Sequence, residues 1–282
     1  MGRSGLPVAE PIRRSLREAA DTRAVTEAAI RQFRSRYPEP RWEPLVIVIA
    51  AYNEERGLGD VLDEIPSAIA GVAVTTVIVD DGSRDGTAEV AAAHGALVCR
   101  LPANRGHGVA LRVGYRLARD GNARYIATLD ADGQWDPADL PAMVKLLVDD
   151  QADFIIGSRQ LGATHNTDRF RNTGVRFFAW LISRLTSTRI TDSSSGLRAM
   201  RAEITGTVRQ TQPQYQTSEL LIGSIYAGYR ITEVPTVMRQ RNFGESRKGH
   251  NLLYGLRYAS VITRTWLRER RAHGKASRTA EI

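Results

Sequence analysis

Short unbroken apolar runs alternate with segments of helical length, and this alternation constrains the fold more than any other feature of the chain. The runs at 45–51, 74–79, 96–101, 125–129 and 154–156 contain almost no polar residues. A strand buried on both faces has no solvent side and therefore shows no polar alternation, so these runs read as strands of a covered sheet. Between them, 56–69, 85–94, 107–119 and 137–149 have helical length and spacing. Strand, helix, strand repeated in this way predicts right-handed crossovers and an α/β fold: a mostly parallel, Rossmann-like sheet with helices on both faces. Ligands of such sheets bind where the carboxyl ends of the strands open into loops.

Those ends are unusually polar. After the first run stands Tyr52-Asn53-Glu54-Glu55, and after the second Asp80-Asp81-Gly82-Ser83-Arg84-Asp85-Gly86-Thr87. The third is followed by Asn104-Arg105-Gly106-His107-Gly108, the fourth by Asp130-Ala131-Asp132-Gly133-Gln134, and the fifth by Gly157-Ser158-Arg159. Asp, Asn, Gly and Ser also dominate ordinary turns, but five such clusters fall at one end of one sheet. Asp130 and Asp132 flank a single residue and can aim hard oxygen ligands at a divalent cation that also binds phosphate. Asp80 and Asp81 can accept hydrogen bonds from a base or a ribose hydroxyl, whereas Asp85 reads as a helix cap. A third glycine is missing after Gly106 and Gly108, where Leu111 stands, and there is no phosphate-binding loop ending in Gly-Lys-Ser/Thr. The small residues at 106 and 108 then let the backbone approach either a phosphate or a neighbouring helix.

Charge divides the chain. Residues 1–44 carry net +3, residues 45–157 net −8 and residues 158–282 net +13, within a total of +8. An acidic half joined to a basic half argues against a nucleic-acid coat, which needs a continuous positive footprint, and suits a protein holding a metal on one side and anions on the other. Cys99 is the single cysteine, which excludes a disulfide framework and suits a reducing compartment, with the cytoplasm as the default. The amino terminus has no long apolar core of a signal peptide. The apolar runs fall well short of the ~20 residues that span a bilayer.

The ordered set of motifs resembles the inverting family 2 glycosyltransferases of the GT-A fold, most closely the dolichyl-phosphate mannosyltransferase and polyprenyl-phosphate glycosyltransferase branch. To the strand-end motifs it adds Thr191-Asp192-Ser193-Ser194-Ser195-Gly196-Leu197-Arg198 and Gly244-Glu245-Ser246-Arg247-Lys248, and it spans about 45–250. The resemblance implies a nucleotide-diphosphate sugar donor of the GDP-mannose or UDP-glucose type and Mg²⁺ or Mn²⁺ held by Asp130, Asp132 and Gln134. It also implies inversion at the anomeric carbon and a polyprenyl or dolichyl phosphate acceptor. Tyr52, Glu54, Asp80 and Asp81 would border the nucleoside, Arg159, Arg169 and Thr173 would bind the acceptor phosphate, and Arg241, Ser246 and Lys248 would cover the donor.

In that chemistry Asp132 acts through the metal and Arg241 stabilises charge on the leaving group. A phosphate acceptor is already ionised, but a hydroxyl acceptor needs a base. Asp192 is the candidate base, and the alternative for the same residue is a loop-bracing carboxylate. Arg159, Arg169, Arg171, Arg176 and Arg198 are expected around the acceptor. The competing readings are a glycosyltransferase acting on a small-molecule, glycan or protein hydroxyl, and a non-catalytic nucleotide-sugar-binding module.

The expected organisation is a helical extension and linker at 1–44, a nucleotide- and metal-binding half at 45–157, an acceptor-binding half at 158–249, and a basic helix and tail at 250–282. The first helix, at about 11–36, reads as packing on the outside of the domain. In the last, at about 251–270, Leu252, Leu256, Ala259, Ile262 and Trp266 share one face and Arg257, Arg264, Arg268 and Arg271 the other. That pattern fits either docking on the domain or peripheral contact with the cytoplasmic face of a membrane.

Overall fold

The computed structural model describes residues 10–165, 169–240 and 252–280, with side chains over 18–165, 172–240 and 255–273. Its centre is one sheet. Strands β1 (Leu45–Ala51), β3 (Val72–Asp80), β4 (Leu97–Arg100) and β5 (Tyr125–Asp130) run parallel in the order β4-β3-β1-β5. The sheet continues through β7 (Arg198–Arg201), β6 (Phe154–Thr164) and β8 (Ile231–Met238). β7 is antiparallel to both of its neighbours, whereas β6 and β8 are parallel to each other. The sheet is therefore mixed.

Alternation along β1 shows why the run is apolar throughout. Val46, Val48 and Ala50 face a core built with the helices α1 (Glu10–Arg36) and α4 (His107–Asp120), while Leu45, Ile47 and Ile49 face a second core. Short helices α2 (Leu58–Asp63) and α3 (Thr87–Ala93), with α5 (Leu140–Val148), cover that second face. Both faces are closed to water, so hydrophobic burial selects apolar residues at every position.

Several elements depart from the sequence reading. The helix expected over 56–69 stops at Asp63. Ala70 and Gly71, both at positive φ, then make the two-residue turn of a hairpin between β2 (Ala68–Ile69) and β3. The fifth strand does not end at Ile156. β6 runs on to Thr164, so Gly157-Ser158-Arg159 lies within it rather than in a loop beyond. β7 has four residues with an arginine at each end, which hid it, yet Ala199 and Met200 are fully buried. Pro235 disguised β8, and it is tolerated because β8 lies at the sheet edge with β6 as its ladder partner.

The amino-terminal helix packs on the domain as expected. Ala29, Ile30 and Phe33 are buried against it, and Arg34–Asp120 (2.8 Å) and Arg105–Asp21 (2.7 Å) bridge the helix to the domain. At the other end, α9 (Leu252–Ala280) docks through Tyr258, Ile262 and Thr265, rotated from the expected stripe so that Leu256 is exposed. Arg268, expected on the outer face, turns inward to the buried Glu219 of α8 (Gln216–Tyr226) at 2.8 Å. Among the described residues no helix is long and apolar enough to cross a membrane.

Candidate active site

Register aligns the first carboxylates. Ala51 pairs with Asp80 and Ala50 with Asp130, so both aspartates stand at the carboxyl ends of strands flanking β1. The loops beyond are stitched together by their own side chains. Ser83 Oγ accepts from the Asn53 N–H (2.8 Å), Asn53 Oδ1 accepts from the Arg84 N–H (2.8 Å), and Thr87 Oγ1 accepts from the Glu54 N–H (2.9 Å). Asp85, read from the sequence as the cap of α3, stands one residue before the N-cap Gly86 and accepts from the Thr87 N–H (3.2 Å). This lacing leaves Tyr52 and Glu54 half-buried at the rim.

The two aspartates of the second motif differ. Asp80 is fully buried. Its Oδ1 accepts from the Ser83 N–H (2.8 Å), and Arg100 Nε stands 3.2 Å from Oδ2, paired in charge although outside hydrogen-bond geometry. Asp81 holds the next loop, accepting from the Arg105 N–H (2.7 Å) and the Gly106 N–H (2.8 Å). That loop approaches protein rather than empty space: the Gly108 N–H donates to the Pro213 carbonyl (2.8 Å), and a β-carbon at Gly108 would meet the Gln212 carbonyl at 2.6 Å. Gly106 and Gly108 thus pack closely against the segment that leads into α8.

Burial pushes the Asp81 carboxyl up to about 6, helped by the neighbouring Asp80 and opposed by the two N–H donors. Unfolded, the group titrates near ~3.9. Its folded pKa is the higher one, so its contribution to stability is full below about pH 4 and is lost as pH rises through about 6. Urea midpoints should therefore carry a falling component across that window which is absent in Asp81→Asn. An identical slope in the variant would assign the dependence elsewhere.

At the end of β5, Asp130 Oδ2 accepts from Trp135 Nε1 (3.0 Å). One residue on, Asp132 Oδ1 accepts from the Gln134 N–H (3.2 Å) across Gly133, whose φ is +70°. Asp132 is half-buried and Gln134 buried. The Gln134 carbonyl accepts from the Arg239 N–H (2.8 Å), and Arg239 also pairs with Asp136 and Glu64. The chain leaving β8 thus crosses directly over this motif. Arg241, Ser246 and Lys248, which follow, lie outside the described residues, as does the Arg169 side chain.

The segment carrying Asp192 and Gly196 closes the site from the other side. Thr128 Oγ1 donates to the Gly196 carbonyl (2.7 Å), which brings Gly196 against the Asp130 carboxylate so tightly that a β-carbon there would overlap both carboxylate oxygens. Gly196→Ala must displace Asp130 or the segment. The expected cost is about 1–3 kcal/mol of stability, as for overpacking in a core, together with a lower transfer rate. An unchanged melting midpoint and rate would mean that Asp130 moves without consequence.

Asp192 and Arg159 are partners. Arg159 Nε donates to Asp192 Oδ2 (2.6 Å) and Nη2 to Oδ1 (3.2 Å), with side-chain exposures of 4% and 0%. Arg159 Nη2 also donates to Ser194 Oγ (3.1 Å), and the guanidinium stands 5.2 Å from the Trp135 ring centroid. Glu233 accepts from the Thr191 N–H (2.8 Å) and the Asp192 N–H (2.9 Å). The loop-bracing reading of Asp192 is the one the geometry fits, and Arg159 faces that carboxylate rather than an open pocket.

Arg198, expected beside the acceptor, is buried and donates to the carbonyls of Ser193 (2.9 Å), Ser195 (3.0 Å) and Thr217 (2.6 Å). Arg176 donates to Gln160 Oε1 (2.9 Å), and Thr173 is exposed on α6 (Arg169–Thr186). Trp135 was missed by the sequence reading, yet it joins Asp130 to the Arg159–Asp192 pair. Its place directly after Asp-Ala-Asp-Gly-Gln was the available signal, since a buried indole N–H needs a partner.

The mixed sheet, its strand-end carboxylates and the crossing segment define a GT-A-like transferase fold. The solved structure of glucosyl-3-phosphoglycerate synthase from Mycobacterium tuberculosis superposes with a TM-score of 0.62 at 19% identity, covering 82% of this chain and 84% of that one. Residues 46–209 match the profile of "Glycosyl transferase family 2", and the chain belongs to that family. A dolichyl-phosphate hexose transferase of Haloferax volcanii is 33% identical over 72% of this chain and 86% of its own length. An uncharacterised protein of Methanocaldococcus jannaschii is 33% identical over 76% and 89%.

Proposed function

We propose that this family 2 glycosyltransferase moves a hexosyl group from a nucleotide-diphosphate sugar, of the GDP-mannose or UDP-glucose type, to a polyprenyl or dolichyl phosphate, with inversion. The observation that carries the acceptor reading is the buried Asp192–Arg159 pair. A hydroxyl acceptor needs a base, and the carboxylate best placed by sequence for that task is committed to a guanidinium. A phosphate oxygen is ionised already and attacks without one. The 33% identity to a protein named for dolichyl-phosphate hexose transfer supports the same acceptor.

The attacking phosphate oxygen forms its bond to the anomeric carbon while the bond to the departing nucleoside diphosphate breaks on the opposite face. Asp80, with Tyr52 and Glu54 at the rim, borders the nucleoside, and Asp81 keeps the 104–108 loop in place beside it. Asp130, Asp132 and Gln134 offer only oxygen donors. A hard cation is commonly held by one or two carboxylates and completed by substrate phosphates. Bound there, Mg²⁺ or Mn²⁺ would neutralise charge on the leaving diphosphate. Arg241, Ser246 and Lys248 are proposed to cover the donor, and Arg169 and Thr173 to meet the acceptor phosphate. The setting is the cytoplasmic face of a membrane, where a lipid phosphate is accessible.

The test is a screen of UDP- and GDP-sugars with Mg²⁺ or Mn²⁺ and a short prenyl phosphate, read by extraction of labelled product into organic solvent. Label that stays wholly aqueous while donor is consumed would replace the lipid acceptor with a water-soluble one.

A further inference from the structure

Helix α6 is amphipathic in an unusual sense. Val175, Ala179 and Ile182 face the core, and the outward stripe at Thr173, Arg176, Phe177, Trp180 and Arg184 carries two large aromatics. Phe177 is 50% and Trp180 59% exposed, with ring centroids 5.9 Å apart. Phe178, between them, turns inward to Tyr258 of α9 at 4.5 Å, and a β-carbon at Gly255 would stand 3.8 Å from Phe178. Leu256, the next residue along α9, is 60% exposed. The Arg176–Gln160 hydrogen bond ties α6 to β6, where the next residue, Leu161, is 45% exposed. Four large apolar side chains are thus exposed on three elements, α6, β6 and α9, that are packed or hydrogen-bonded to one another.

We propose that this surface docks on an anionic lipid bilayer, with Phe177, Trp180, Leu161 and Leu256 entering the interface and Arg176, Arg184 and Arg257 meeting lipid phosphates. Three observations favour a bilayer over a protein partner. Tryptophan and phenylalanine on one helical stripe flanked by arginine form the pattern that lies in a headgroup region. α6 contains four arginines and no acidic residue, and α9 has no acidic residue before Glu269. A symmetric contact with a second copy would set those arginines against one another, whereas anionic headgroups neutralise them. Finally, Thr173, proposed above to meet the acceptor phosphate, lies on the same exposed stripe of α6, so docking would present the site to a lipid-borne phosphate. That last argument rests on the acceptor proposed above, and the first two do not. The dock differs from the one expected from sequence, since α9 spends its apolar face on the domain.

Flotation of the full chain with phosphatidylglycerol-containing and pure phosphatidylcholine vesicles tests it. The wild type should bind the anionic vesicles, and Phe177→Glu/Trp180→Glu should weaken that binding at least about tenfold with an unchanged melting midpoint. Leu256→Glu, on the other helix, should weaken it too. Vesicles should blue-shift the tryptophan emission in the wild type but not in Trp180→Phe. Unaltered binding by both charged variants, or a wild type that ignores vesicles and forms a dimer broken by Phe177→Glu/Trp180→Glu, overturns the proposal. A parallel assay of the wild type with a short, water-soluble prenyl phosphate separates the two readings. Transfer without vesicle binding removes the dock and keeps the acceptor, and vesicle binding without transfer does the reverse.

Discussion

Asp132→Asn is expected to lower the transfer rate by a factor on the order of 10²–10³ while leaving the fold intact, the scale seen when one electrostatic contact to a developing charge is removed. The choice of Asp132 over Asp130 follows from packing. Asp130 is fastened by Trp135 and pressed against Gly196, so its replacement mixes structural with chemical effects. Asp132 sits half-buried on a turn made possible by the positive φ of Gly133. Asn preserves its shape and its acceptor for the Gln134 N–H but removes the charge that would hold a cation. Nucleoside diphosphate release at saturating donor measures the rate, and thermal melting checks the fold. A rise in donor KM with the maximal rate unchanged would make Asp132 a ground-state contact only. A wild-type rate would take it out of the site.

Asp192→Ala should unfold far more easily than the wild type, by about 3–5 kcal/mol, because it strands the Arg159 guanidinium in a buried position. Surface screening gives no relief at 4% exposure. The loss extends to Ser194, which shares the guanidinium, and to the segment that presses Gly196 on Asp130. Replacing both partners, Arg159→Met with Asp192→Leu, should recover much of the stability, since an apolar pair no longer carries the desolvation cost of two charges. Urea unfolding of the two singles and the double measures the coupling. If Asp192→Asn instead kept the wild-type midpoint and abolished transfer at every pH, the general-base reading would return.

The half of the chain before residue 150 was largely legible because local rules and tertiary structure agree there. Double-faced burial leaves continuous apolar strands, and the glycines and aspartates that follow them are demanded by tight turns at the sheet end. After residue 150 the agreement lapses. β7 is four residues with an arginine at each end, β8 contains a proline, and Arg159 and Arg198 read as cations facing the acceptor although both are buried among hydrogen-bond acceptors within the protein. Part of the +13 is answered by the acidic half: Arg230 and Arg201 clamp Asp153 and Asp150, holding the Asp153 carboxyl well below its usual range, and Arg239 clamps Asp136 and Glu64.

The amino-acid sequence by itself determined the strand–helix alternation, the end of the sheet where chemistry gathers, and the ordered motifs of the family, since all of these are patterns of near neighbours. Tertiary structure alone decided which charges are spent inside the protein and which face outward. It closed Asp192 onto Arg159, Gly196 onto Asp130 and α9 onto α8, and it left Phe177 and Trp180 uncovered. Those outcomes depend on residues tens of positions apart being brought within a few ångströms, and no local spacing records that.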